Sequence, residues 1–140
     1  MNKGGLLERL RRHQEDALAI MGDTEPMLAK AASDEVGALA RARWALMRTL
    51  IAYQHFKHRE LFDPAIARNI LGEAQRAARM KQACMAMGEE FRDHISLWSR
   101  RDVGGEWATY QPAALSMMAK LRKHLAQERA EIETLVDKAT

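Results

Sequence analysis

Apolar side chains recur every three to four positions along four long stretches of this chain, the spacing of one helix face. The last stretch is the clearest. Between Ala113 and Val136, the residues Ala114, Met117, Met118, Leu121, Leu125, Ile132, Leu135 and Val136 fall on one broad face. The first helix starts near Gly5 and carries Leu6, Leu10, His13, Ala17, Ile20 and Met21. Gly22-Asp23-Thr24-Glu25-Pro26 interrupts it, as a kink or as a stop, with Thr24 placed to cap a continuation. Ala31 to Asp34 reads as a turn, with Ser33 or Asp34 as N-cap. The second helix spans about Glu35 to Phe62 on a stripe of Val36, Leu39, Ala40, Leu46, Met47, Leu50, Ile51, Gln54, His58 and Leu61. Asp63-Pro64 ends it, and Ala65 to Leu71 is a short helical linker. The third helix runs from about Glu73 to Arg101 on Ala77, Met80, Cys84, Met87, Phe91, Ile95 and Trp98. A loop at Asp102-Val103-Gly104-Gly105 follows, and the fourth helix starts between Glu106 and Pro112. Four amphipathic helices with short links predict an all-α fold, an up-down-up-down antiparallel four-helix bundle.

Polar residues inside these apolar faces carry the chemical interest. Glu128 lies within the face of the fourth helix, His124 on its flank one turn earlier, and His13 in the stripe of the first. A buried carboxylate costs several kcal/mol unless something pairs with it. Positions equally far from one end of an up-down bundle share a layer. That places His13, the segment Gln54 to His58, the segment Met80 to Cys84, and Glu128 at one level, with His94 well away from it. Two readings stay open: a metal site, or a hydrogen-bonded cluster in which His13 or His124 neutralises Glu128. Arg43 also falls on an apolar face, either near a bundle end or paired with an acid.

Composition narrows the classes. The chain has 140 residues, is 47% hydrophobic and 29% charged, and carries a net charge of +3 from interleaved signs, which suits a single domain over residues 1–140. Its one cysteine, Cys84, cannot form an internal disulfide, so a reducing compartment and a cytoplasmic location are expected. No signal peptide or membrane span is apparent. Basic residues alternate with acids, without an aromatic-basic pattern or recognition-helix motif for nucleic acid. Phosphate loops, Cys-x-x-Cys pairs and Ser/His/Asp arrangements are absent, so no enzyme is expected.

The segments LLERLRRH, HFKHRELFDP and LRKHLAQE, in that helix order, resemble the hemerythrin-like (HHE cation-binding) family. The resemblance implies a four-helix bundle with a di-iron centre. Its ligands would be one histidine from the first helix, a His-x-x-x-Glu pair from the second, histidine from the third, and a histidine with a carboxylate one turn later from the fourth. Carried over, it implies His13, His124 and Glu128 as ligands, with His58 or His55 from the second helix. No His-x-x-x-Glu exists between Tyr53 and Arg59, and Arg79, Met80, Lys81 and Cys84 stand where the third helix should supply histidine. The expectation is a degenerate metal site at His13, His58, His124 and Glu128 in a non-catalytic regulatory or interaction module, with an unknown protein partner or a second copy of the chain. The alternative is a reduced-ligand, non-haem iron protein that binds or senses dioxygen, nitric oxide or iron.

Overall fold

The computed structural model describes residues 3–30 and 35–138, and every regular element among them is helical. Four long helices dominate: α1 (Lys3–Ala29), α2 (Val36–Lys57), α4 (Glu73–Ser99) and α5 (Trp107–Lys138), with a short α3 (Asp63–Arg68) between the middle two. Helix α1 packs on α2 and α5, and α4 packs on the same two from the other side. The buried face of each long helix follows the 3.6-residue period, and the core runs from Leu28 and Leu39 at one end to Leu61, Leu135 and Val136 at the other. No helix among the described residues is long and apolar enough to cross a membrane.

Helix α1 does not break at Gly22–Pro26 as the sequence suggests. Thr24 spends its hydroxyl on the carbonyl of Ile20, four residues back at 2.7 Å, instead of capping a new helix. Pro26 lies inside the helix close to its end, where few later hydrogen bonds depend on it. The expected N-cap at Ser33 or Asp34 lies outside the described residues.

Asp63-Pro64 does not stop the second helix either. The chain leaves Lys57 through a single π-helical turn, His58–Phe62, and continues directly into α3. Asp63 donates its backbone N–H to the carbonyl of His58, five residues back. Pro64 has no N–H, and its ring crowds the preceding turn; widening that turn accommodates it without ending the helix. Asn69 then closes α3 in the left-handed conformation (φ 53°), and Gly72 (φ 87°) sets the direction of α4. The backbone N–H of Gly72 donates to the side chain of Gln75 at 2.7 Å, which ties the start of α4 to its first turn.

Side chains tie α1 to α5 at several levels. Arg11 meets Glu133, Arg129 Nε donates to Gln14 Oε1 at 3.0 Å, Arg122 pairs with Glu25, and Gln111 donates to the carbonyl of Leu28 at 2.7 Å. Beyond α2, Arg9 of α1 reaches Glu60 in the π turn, and Lys81 of α4 reaches Asp63 at the start of α3.

Candidate functional site

The buried cluster among the four long helices is built on Lys57 and Glu128. Leu39, Leu46, Tyr53 and Lys57 point inward from α2, each 3% exposed or less. Lys57 Nζ donates to both carboxylate oxygens of Glu128, at 2.8 and 2.6 Å, with side-chain exposures of only 3% and 6%. His124 Nε2 stands 3.2 Å from Glu128 Oε2, one turn back along α5. The ammonium also lies 3.9 Å from the centroid of the Tyr53 ring, a cation–π contact in dry surroundings. Gln14 completes the cluster from α1: its amide donates to the Tyr53 hydroxyl at 2.8 Å and to the carbonyl of Leu125 at 2.9 Å. Each long helix contributes a polar group to the cluster; from α4 it is Cys84, whose buried thiol faces the same ammonium.

The electrostatics agree with a closed ion pair. Burial alone would push the Glu128 carboxyl upward, but the hydrogen bond from His124 and the charge of Lys57 outweigh it and hold it below the ordinary value. Burial, reinforced by the Glu128 charge, raises the Tyr53 hydroxyl far above its usual range. The Cys84 thiol is likewise raised by burial, against the pull of Lys57. The cluster therefore holds one ammonium and one carboxylate, with phenol and thiol both protonated.

Of the four side chains expected to bind metal, only two meet. Glu128 and His124 are together, as above. His13 lies on the flank of α1, its ring 5.8 Å from that of Tyr53 and 5.0 Å from that of Phe56, and no hydrogen bond or ion pair joins it to Glu128. Burial holds its pKa below the ordinary value. His58 sits in the π turn, its ring 5.8 Å from Phe62, and lines an open depression with His55, Arg59 and Asp63. Its Nε2 is buried without a partner, and burial together with Lys81 and Lys57 lowers its pKa. Among the described residues, no group of three or more His, Cys, Asp or Glu side chains is arranged to hold a metal ion. These residues do not fit a di-iron centre, because a lysine ammonium already occupies both oxygens of Glu128, the buried carboxylate at this level.

Lys57, Tyr53 and Gln14 escape the sequence analysis because a stripe phased on Gln54 and His58 turns the first two away from the core. A cleft between α2, α4 and α5, about 450 Å³ including its open mouth, leads from Ile51 and Arg92 at the surface to Lys57, Cys84 and His124. Gly88 lies on this cleft, where a Cβ would come within 3.0 Å of Gln54 Oε1.

No family model matches the chain, and no curated protein or solved structure matches it either.

Proposed function

We propose that this chain is a single hemerythrin-like domain, an up-down-up-down antiparallel four-helix bundle whose metal centre has given way to an internal ion pair. It works as a non-catalytic regulatory or interaction module in the cytoplasm. The observation that carries this reading is the Lys57–Glu128 pair, placed at the level where the resemblance expects a metal. Three further features support it. The ties between α1 and α5 run in opposite order along the two helices, from Arg11–Glu133 to Leu28–Gln111. The inward pair on α2, Tyr53 and Lys57, has the i, i+4 spacing of the family's His-x-x-x-Glu. His124 and Glu128 keep the spacing and contact that the resemblance implies for the last helix.

An ammonium does for the carboxylate what a cation would do. It neutralises the buried charge and joins α2 to α5, but it offers no open coordination position. Metal analysis of protein expressed in iron-rich medium tests the reading. The expected result is iron at trace level and no change in thermal midpoint on adding a chelator. Stoichiometric iron, lost in Glu128→Ala, would overturn it in favour of a reduced-ligand iron protein that binds dioxygen, nitric oxide or iron.

A further inference from the structure

Helix α2 sends two cations into the interior, fourteen residues or about 21 Å apart along its axis. Lys57 meets a carboxylate. Arg43, only 7% exposed, does not: among the described residues its one hydrogen bond is from Nη1 to the Tyr110 hydroxyl at 3.1 Å. Its Nε is buried with no partner. The indole N–H groups of Trp98 and Trp107 are buried and unpartnered as well. All three orphans surround one residue. Arg43 lies 5.5 Å from the centroid of the Tyr110 ring, and the Trp98 and Trp107 rings lie 5.0 and 5.8 Å from it. Tyr110 accepts from Arg43, so its own hydroxyl proton remains to be given.

Every unsatisfied group in this set is a donor, and the one formal charge is positive. A buried cation without a counter-charge, and buried N–H groups without acceptors, each lose the hydration they had in the unfolded chain and get nothing back for it. Native proteins leave few such groups, and three around one ring call for a missing acceptor. The described neighbourhood does not supply it. Glu106, just before α5, gives both carboxylate oxygens to Arg101, and Glu35, just before α2, pairs with Lys30 at 3.5 Å. His94, with its ring 6.2 Å from that of Tyr110, is held neutral by burial and the charge of Arg43 and so supplies no counter-charge.

We infer that the Arg43–Tyr110 end of the bundle is a binding site for a small organic monocarboxylate. The carboxylate accepts from Arg43 Nε and the two indoles and supplies the counter-charge that Arg43 lacks. A single guanidinium in an aromatic lining balances one negative charge and not two, which selects a monoanion over phosphate. Arg43 Nε and both indole nitrogens lie beneath the surface, out of reach of a membrane or a bulky protein partner, so a small acid is the occupant they fit. This site is separate from the central cluster and stands whether or not that cluster replaced a metal.

The indole N–H signals of ¹⁵N-labelled protein, titrated with acetate at constant ionic strength and pH 7.5, test it. Trp98 and Trp107 are expected to shift together and saturate, while the exposed Trp44 stays still. Phosphate is expected to bind about tenfold more weakly at equal ionic strength. Arg43→Met should abolish the shifts, and Trp107→Phe, which keeps the charge and removes one donor, should weaken acetate severalfold. If Arg43→Met does not fold, the wild-type titration and Trp107→Phe decide alone. Signals unmoved by acetate, non-saturating shifts shared by all three indoles, equal binding of phosphate, or a response intact in either variant would overturn the proposal.

Discussion

At the scale of single residues, the centre of this protein rests on one exchange of charge. Removing the Lys57 ammonium strands a carboxylate that is 5% exposed, with His124 beside it but no fixed positive charge to balance it. Lys57→Met is therefore expected to cost about 3–5 kcal/mol in urea denaturation, whereas Lys57→Met combined with Glu128→Met should be near neutral. A single-variant loss below about 1 kcal/mol would show that the pair is solvated like a surface ion pair. Arg43 predicts a different signature through its neighbour. Burial, assisted by the Arg43 guanidinium, lowers the His94 pKa to about 4. The unfolded chain then binds more protons than the folded one between that value and the ordinary value of about 6.5, so stability rises with pH across this window. Below about pH 4 the contribution of His94 levels off. Denaturation curves at several pH values should show stability climbing over this range in wild type and a flatter dependence in His94→Leu, and NMR titration of Arg43→Met should bring His94 upward toward its ordinary value. Arg43 was also the readable clue to the whole interior of α2. Taken as inward-facing, it sets a stripe of Leu39, Arg43, Leu46, Leu50, Tyr53 and Lys57, which places the second cation on the same face. Phasing the helix on Gln54 and His58 instead reads the π turn as ordinary helix and points to the wrong residues.

At the scale of elements, helix existence was legible, as were the bounds of α4 and the start of α5, whereas the breaks expected at Gly22–Pro26 and Asp63-Pro64 were not there. The four stripes mark α1, α2, α4 and α5 because each must bury one face, and that demand is written directly in the spacing of Leu, Met and Ala. Whether a glycine or proline ends a helix depends on what packs beyond it. Leu28 is fully buried after Pro26, so burial of the last turn of α1 outweighs the local signals at Gly22 and Pro26. Gly22 should then behave as an interior helical glycine in open space, since a methyl group at its Cα would meet nothing within 4 Å. Gly22→Ala is expected to stabilise the protein by about 0.5–1 kcal/mol, read from the urea midpoint at unchanged slope. A loss of stability would mean that this position needs glycine's freedom, as a kink would. Gly72 is the contrast: at φ 87° an alanine is strained, and the same substitution there should destabilise by about 1–2 kcal/mol.

At the scale of the whole molecule, the proposed bundle needs something to hold its centre, and the choice between ion pair and metal is a choice of what cancels one carboxylate. His124, Glu128 and the end of α2 could be brought to one level from the sequence because rise per residue is the same in every helix. Rise alone does not say which way the α2 side chains turn, since a shift of one residue rotates a side chain by about 100°. If the pair stands where a metal once did, the change should be reversible by design. Lys57→Glu places two carboxylates and His124 around one buried point. Without metal the variant should lose about 3–5 kcal/mol at pH 7, with one carboxyl forced to stay protonated. A divalent cation that binds only the folded state should then restore about 2.7 kcal/mol at a concentration one hundredfold above its Kd. The measurement is the thermal midpoint of Lys57→Glu with and without Fe²⁺ under anaerobic conditions, or Zn²⁺ in air, against wild type, whose midpoint should not move. A variant that folds and ignores both metals would leave the ion pair as the native solution of this core and remove the support it lends to hemerythrin-like descent.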